Sequence, residues 1–225
     1  DVETKAACFE PLTAGLMENM ESDATGLKFT YVLPTTKHQA LVQTTRFALT
    51  KIPPERLDAE FHTDLDSIVQ GTVTIKRWER GCLPMGQTRV DANTSSKIIP
   101  AGQAAGVLRA SSGYGFLRIQ AWARALADEL VEGRTPHAKP FGSPLERNMD
   151  AIFLAALSRS PHLAASWFIR LAEYLTGDEF GQLMSQSPSL NSWLKVVFAL
   201  PKIEFLQALF WRRPQIDRKC HRVTK

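Results

Sequence analysis

The sequence predicts an α+β fold, in which an antiparallel sheet with covering helices is followed by a C-terminal region that is all helical. Apolar residues alternate with polar ones in the first part of the chain, as they do in half-buried strands. In the second part they recur at helical spacing behind Ser-Pro pairs. The 225 residues are 44% hydrophobic and 22% charged, which is typical of a globular protein. We expect a mixed region at 1–140, a helical region at 141–211 and a basic tail at 212–225.

The mixed region begins with a predicted hairpin. Residues 28–33 alternate in character, residues 34–37 contain the turn-forming Pro34, and residues 38–47 alternate again. A helix starting at Pro54 follows, and the chain returns as a strand at 72–77. That helix carries one apolar stripe, formed by Leu57, Phe61, Leu65, Ile68 and Val69. This order predicts an antiparallel sheet with one face covered.

The region around residues 99–131 contains the most distinctive pattern. Residues 99–101 read as a short apolar strand, and a glycine turn and a polar loop lead from it into a helix. The helix is expected to bury a stripe of Phe116, Ile119, Ala123, Leu126, Ala127 and Leu130. Gly113 and Gly115 would let a flat or anionic partner approach its N-terminal N–H groups. The alternative is a strand, loop and helix whose glycines serve only the turns.

The helical region is punctuated by Ser-Pro pairs at 143–144, 160–161 and 187–188, each of which places a capping hydroxyl before a proline. Glu146 after Ser143 adds a capping box. The apolar stripes of these helices are expected to form a core. No predicted helix has the ~20 apolar residues that a spanning helix needs. An interfacial surface around 193–211 remains open, with the apolar residues Phe198, Phe205, Leu206, Leu209, Phe210 and Trp211.

The charge of the chain is concentrated at its end. The net charge is +4, but residues 212–225 hold six basic residues and one acidic residue, so the preceding body is close to neutral. Such a run is most often a solvated tail, and adhesion to an anionic membrane surface is the alternative. Nucleic-acid binding is disfavoured because no aromatic residues are interleaved with these charges.

The remaining candidate groups indicate little chemistry. Cys8, Cys82 and Cys220 are few and far apart, which favours reduced thiols, a cytoplasmic location and no metal site. Peripheral contact with a membrane is kept open. Asp64 and Asp66 are expected to face different sides of a helix as a solvated pair.

The glycine segment resembles the last flavin-contacting motif of lycopene cyclases, flavin-dependent enzymes that close the ends of linear carotenoids. Three further segments that resemble the family precede it in the chain, in the order expected for the family: 9–34, 40–45 and 79–86. The resemblance implies an FAD cofactor and an apolar polyene substrate. It assigns flavin contacts to Gly102, Ala104, Ala105, Gly106, Arg109, Gly113, Tyr114, Gly115 and Phe116. No Gly-x-Gly-x-x-Gly motif occurs, so the resemblance also implies a missing N-terminal Rossmann half that would grip the ADP part.

The family chemistry is redox-neutral: an acid protonates a polyene end, and the resulting carbocation closes the ring beside the reduced flavin. Gln43 stands at the position of the family's first acid, and Thr44 stands at the second. Gln43 shares one strand face with Leu41, Thr45 and Phe47. The candidate catalytic residues are therefore Gln43, Thr45 and Glu79, and an amide is no proton donor of useful acidity.

Several interpretations remain open at this stage. Glu79 or Glu10 could supply the proton in a rearranged site. The protein could also be a relative with little activity. Gln43 itself could be an ordinary polar residue on the surface of the strand. The same flavin cradle could support another reaction, such as oxidation, reduction or halogenation of an apolar substrate. A different class is a non-catalytic helical module that docks on a membrane or a partner.

Overall fold

The computed structural model describes residues 1–83, 85–86, 99–134, 142–185 and 188–210. It confirms the α+β class. The strands are β1 Val2–Thr4, β2 Gly15–Asp23, β3 Gly26–Pro34, β4 Gln39–Ala48 and β5 Val73–Ile75. The helices in the described part are α1 Pro54–Ile68, α2 Phe116–Val131, α3 Pro144–Arg159, α4 Ala164–Tyr174, α5 Gly177–Ser185, α6 Leu190–Ala199 and α7 Lys202–Phe210.

These elements form two compact units. The first contains residues 1–82 together with 160–165, and the second contains the described residues of 83–159 and 166–210. The sheet and α1 belong to the first unit, whereas α2 belongs to the second with the C-terminal helices. Within the described residues, the chain therefore passes from one unit to the other after Cys82, after Arg159 and after Ala165.

The first unit is built on a five-stranded antiparallel sheet in the order β2-β3-β4-β1-β5. The long β3–β4 hairpin has an unbroken register that pairs Tyr31 with Gln43 and Thr30 with Thr44. The predicted hairpin and the return strand are thus confirmed. At the start of β3, Gly26 has a φ of 141°, and a Cβ there would collide with the Phe47 carbonyl oxygen. This position therefore requires glycine.

Strands β1 and β2 were not predicted. Strand β1 is only three residues long. The register of β2 against β3 shifts twice, and both Met17 (φ 56°) and Asn19 (φ 50°) lie in the left-handed region. Such bulges interrupt the alternation of side chains, which explains why the apolar pattern of β2 is obscure.

Helix α1 covers one face of the sheet and forms an apolar core with it. The buried members of this core come from three strands, the segment before β2 and the helix end: Val2, Phe9, Val32, Ala40, Val42, Leu65 and Val69. Phe61 and Ile68 of the predicted stripe pack against them. The predicted helix and its apolar side are therefore confirmed.

The same face also contains a buried polar cluster around Asp64. Lys28 Nζ donates to Asp64 Oδ1 at 2.8 Å, and the hydroxyls of Thr30 and Thr44 each donate to Oδ2 at 2.8 Å. Hydrogen bonding to Asp64 raises the pKa of Lys28, although burial acts in the opposite direction. The expectation that Asp64 is solvated is wrong, because it lies on the apolar stripe of α1, three residues after Phe61. Asp66 is exposed, as expected.

A second polar cluster adjoins the first. Arg46 and Arg56 each bind both Asp23 and Glu60, at N–O distances between 2.7 and 3.0 Å. Burial raises the pKa of Asp23, but hydrogen bonds from Thr25 and Arg46 outweigh it and hold that pKa far below its usual range. The two clusters tie α1 to the β3–β4 hairpin through groups that need partners when buried.

The second unit departs from the prediction at its start. Residues 99–101 form no strand, and a 3-10 turn occupies Gly102–Ala105. Helix α2 is present, but its predicted buried stripe is wrong. Phe116, Ala123, Ala127 and Leu130 are exposed, Ile119 and Leu126 are half-buried, and Arg118 is the buried residue. Arg118 donates to Glu146 of α3 at 2.7 Å and to the Val107 carbonyl at 2.9 Å.

The capping predictions are partly confirmed. The Ser143 hydroxyl accepts from the Glu146 N–H at 3.1 Å at the start of α3. Ser160-Pro161 instead begins a 3-10 turn that precedes α4. Ser189 caps α6, two residues after Ser187, which lies outside the described residues. No helix within the described ranges has the length and apolarity needed to cross a bilayer.

We predict that Asp64→Ala lowers the free energy of unfolding by about 3 kcal/mol, because it leaves the buried Lys28 ammonium without its main partner. Asp66→Ala is the matched control on the same helix, and we expect a change within about 0.5 kcal/mol. Urea denaturation of both variants measures the difference. Equal destabilisation by the two changes would contradict the role assigned to Asp64.

Candidate functional site

The uncovered end of the β3–β4 face is the candidate site. The side chains of β3 and β4 that face away from α1 are Leu27, Phe29, Tyr31, Leu33, Leu41, Gln43, Thr45 and Phe47. Leu27, Phe29 and Phe47 are buried at one end, where residues 160–165 lie near β3. At the other end Leu33, Leu41 and Gln43 are exposed. The result is an open apolar surface with one amide at its centre. We call these eight side chains the Gln43 surface.

Gln43 and Thr45 form a hydrogen-bonded pair on this surface. The Gln43 side-chain amide donates to the Thr45 hydroxyl at 3.2 Å. The predicted sharing of one strand face by Leu41, Gln43, Thr45 and Phe47 follows from the regular pairing of β4 with β3. Gln43 is therefore presented outward with an oriented amide group.

Tyr31 lies directly across the hairpin from Gln43 and was not identified from the sequence. Its ring meets Phe29 edge to face with centroids 5.2 Å apart. Burial raises the pKa of the Tyr31 hydroxyl, so this group stays protonated at neutral pH. The strict alternation of β3 was the sequence feature that could have placed Tyr31 beside position 43.

Thr44 points to the opposite side of the sheet, where its hydroxyl binds Asp64. The two positions that correspond to the family's acidic pair therefore face opposite sides. A carboxylate introduced at position 44 would meet the Asp64 carboxylate in a part-buried space, which is unfavourable.

Glu3 is the carboxylate that sequence reasoning missed on the Gln43 side. It pairs with Gln39 and Thr74 across β4 and β5, and Gln39 lies on the same side of β4 as Gln43. Lys76 Nζ lies 2.6 Å from Glu3, and the Gln39 amide donates to it at 2.9 Å. Hydrogen bonds from Lys76 and Gln39 lower the pKa of Glu3. It is therefore ionised at neutral pH and unsuited to give a proton.

Glu79 and Glu10, the two alternative acids, lie elsewhere. Glu79 is exposed and forms an ion pair with Arg77 two residues away. Glu10 is exposed and lines a cleft of about 320 Å³ together with Val32 and Ser67. Val32 faces α1, so this cleft is on the side of the sheet that Gln43 does not face. The neighbours of Glu79 contact α1, since Trp78 packs on Phe61 and Arg80 pairs with Asp58, so both glutamates lie toward the α1 side of the sheet.

The local backbone explains why glycine occupies two positions of the glycine segment, 113 and 115. Gly113 lies in a turn with a φ of 71°. Its own N–H donates to the Arg109 carbonyl at 2.8 Å. Gly115 is the N-cap residue of α2, and a Cβ there would collide with Leu108. Gly102 and Gly106 likewise have positive φ values, at the ends of the 3-10 turn, and Ala105 is buried beside them.

Arg109 is a structural residue within the second unit. Its guanidinium pairs with Asp150 at 3.2 Å and lies 5.7 Å from the centre of the Trp193 ring. It also donates to the Leu183 carbonyl, and Ser111 donates to Asp150 at 2.8 Å. With 3% of its surface exposed, Arg109 is buried within the second unit.

A flavin ring would find mainly backbone groups here. Among the described residues, no side chain caps α2 at Gly115, so the N–H groups of its first turn are the donors that this helix end offers to an anionic ring edge. Tyr114 is half-buried and Phe116 is exposed at the same helix end. A cofactor ring at this position would meet these groups, whereas the Arg109 side chain is buried against Asp150.

The thiols differ from expectation in one respect. Cys8 is a free, exposed thiol, whereas Cys82 is disulfide-bonded, so the prediction of reduced thiols is wrong for Cys82. Cys220 lies outside the described residues. Among the described residues, no group of three or more His, Cys, Asp or Glu side chains is placed to hold a metal ion.

Comparison of the sequence with known proteins identifies its family. No curated protein and no solved structure matches the chain. A family model described as lycopene cyclase protein matches residues 1–167, a range that includes both the β3–β4 hairpin and the glycine segment. The chain belongs to the lycopene cyclase family.

Proposed function

We propose that this protein acts on a linear carotenoid, in the redox-neutral, isomerase-type cyclisation of a polyene end group. The observation that carries the proposal is the family match, which spans the hairpin bearing Gln43. The exposed end of the Gln43 surface, with Leu33 and Leu41 beside it, suits an apolar polyene.

The proposed reaction is slow in the natural protein because the central position carries an amide. None of the eight outward side chains of β3 and β4 is a carboxylic acid. Ring closure needs a proton donor at the polyene end, and the Tyr31 hydroxyl is a much weaker acid than a carboxyl group. The Tyr31 ring could still favour a cation that forms over its face.

The FAD cofactor belongs to the same proposal. When bound in reduced form, it would supply the negative charge that stabilises a carbocation in the family's reaction. The first-turn N–H groups of α2 would hold the ring edge, with Tyr114 and Phe116 beside it.

A second candidate function is another flavin-dependent reaction on the same apolar surface. It is favoured because none of the eight outward side chains of β3 and β4 is a carboxylic acid, and oxidation or reduction does not require that acid. The experiment below separates the two.

We predict that Gln43→Glu produces or increases cyclised carotenoid in cells that make lycopene. The side chain at position 43 is exposed in the free protein, so the pKa of the new carboxyl group rises toward a useful range only when a bound polyene covers it. Gln43→Met, which keeps the length without an acid, is the matched control and should give no increase. Chromatography of extracted carotenoids measures the products.

Two results would contradict this assignment. Efficient ring formation by the unaltered protein would mean that another group donates the proton. Absence of cyclised product from Gln43→Glu, in a preparation that binds polyene and flavin, would favour the other flavin-dependent reaction. Thr44→Asp is unsuitable as a test, because it faces Asp64 rather than the substrate.

We further predict that this 225-residue chain binds FAD no more tightly than riboflavin. The sequence contains no glycine-rich phosphate-binding motif, so the ADP part gains no such site. Fluorescence quenching titrations with the two ligands give the comparison. FAD that stays with the chain in stoichiometric amount through gel filtration would refute the prediction.

A further inference from the structure

A cleft of about 320 Å³ lies on the α1 side of the sheet, between the edge strand β2 and the end of α1. We call it the β2–α1 cleft. Its lining includes Phe9, Glu10, Glu18, Asn19, Val32 and Ser67. Its volume is at the lower end of the range of small-molecule sites in proteins. The Gln43 surface is on the other side of the sheet, so the proposed function makes no use of this cleft.

The floor of the β2–α1 cleft is apolar. Phe9 and Val32 line it and belong to the buried core of the first unit, and the half-buried Ile68 lines it from α1. The Asn19 side-chain amide of β2 donates to the Ser67 hydroxyl of α1 at 2.9 Å, which ties the two elements together at the cleft. A ligand would therefore find apolar atoms beneath it and a wall that is fixed to both β2 and α1.

The irregular backbone of β2 places Glu18 at the cleft. The register of β2 against β3 shifts on both sides of Glu18, and its neighbours Met17 and Asn19 lie in the left-handed region. Bulges of this kind redirect a side chain. The Glu18 carboxylate is turned back over Gly15, since a Cβ built at position 15 would collide with it. Both residues line the cleft, so the bulges direct this carboxylate to it.

The charge of the cleft is negative. Glu10 and Glu18 both line it, and none of the described residues that line it is Lys, Arg or His. Within the described part of the chain, neither carboxylate has an ion-pair partner, unlike Asp23 and Asp64 of the same unit. A cation in the cleft would therefore be attracted by two carboxylates without displacing a basic side chain.

We propose that the β2–α1 cleft binds a small organic cation, in which an ammonium group is joined to an apolar body. The ammonium group would contact Glu10 and Glu18, and the apolar body would rest on Phe9 and Val32. A bare metal ion is disfavoured, because among the described residues no group of three or more His, Cys, Asp or Glu side chains is placed to hold one. The inference goes beyond the proposed function and does not depend on cyclisation chemistry.

Cys8 provides a reporter for the cleft, since it is a free, exposed thiol that lines it. The full chain is labelled with the neutral reagent iodoacetamide, and mass spectrometry of the Cys8 peptide gives the rate. The added ligands are phenethylamine, phenethyl alcohol and hydrocinnamate, which share an aromatic body and differ in charge. At about 10 mM, we expect the amine to slow labelling at least about twofold and the other two ligands to leave the rate unchanged. The chain unfolded in urea, labelled under the same conditions, corrects for consumption of the reagent.

Two variants assign the effect to the cleft. Glu10→Gln and Glu18→Gln, made together, should weaken protection by the amine about tenfold or more, because both opposite charges are removed. Glu55→Gln is the matched control: it removes an exposed carboxylate that is not part of the cleft lining, and protection should be as in the natural protein. Circular dichroism confirms that each variant is folded.

Several results would overturn the proposal. Equal protection by the amine and the alcohol would mean that charge plays no part, and protection by hydrocinnamate alone would indicate an anion site. Lack of protection by the amine would exclude binding with a millimolar Kd or tighter. Protection that survives the double change would place the amine elsewhere. None of these measurements uses turnover, so their outcome is independent of the cyclisation assay.

Discussion

The carboxylate of Asp64 is the interaction on which the first unit depends. It is buried between α1, to which Asp64 belongs, and the sheet. It accepts hydrogen bonds from one ammonium and two hydroxyl groups, and all three donors come from β3 and β4. Because the two threonines are cross-strand partners, their joint contact with Asp64 is compatible with one register of the hairpin. A slip by one residue would reverse every side chain on the strand. The outward direction of Gln43 is thus a consequence of a polar contact on the other side of the sheet.

A related principle organises the second unit. Two buried arginines, Arg109 and Arg118, bind carboxylates of α3 and so fix the glycine segment and the start of α2. Buried pairs of this kind are weak evidence for stability, but removal of one partner is costly. The segment that resembles a flavin contact is therefore held from beneath by charged side chains, and its outer side offers backbone N–H groups. Arg109, which the resemblance assigns to the cofactor, is buried and paired with Asp150 in this arrangement.

The sequence predicted what regular patterns can reveal. The β3–β4 hairpin, α1 and the shared face of Gln43 and Thr45 follow from alternation and helical spacing, and the family follows from ordered motifs. Strands β1 and β2 could not be predicted from the sequence, because β1 is very short and β2 is bulged at Met17 and Asn19. The burial of Asp64 could not be predicted, because a buried polar residue on an apolar stripe is recognised only once its partners on distant strands are known. The helical spacing of apolar residues on α2 predicted the wrong buried side. The buried residue of this helix is Arg118, and its partner Glu146 lies in α3.

The central claim is that position 43, and not position 44, is presented to the substrate. Thiol labelling of Gln43→Cys and Thr44→Cys in a Cys8→Ser background tests it directly, with Thr30→Cys as a buried control on the Asp64 side. We predict that a maleimide reacts with the Gln43→Cys thiol at least about tenfold faster than with the other two, whose exposure requires local opening. All three should react alike in urea. Equal native rates, or faster labelling of Thr44→Cys, would contradict the account.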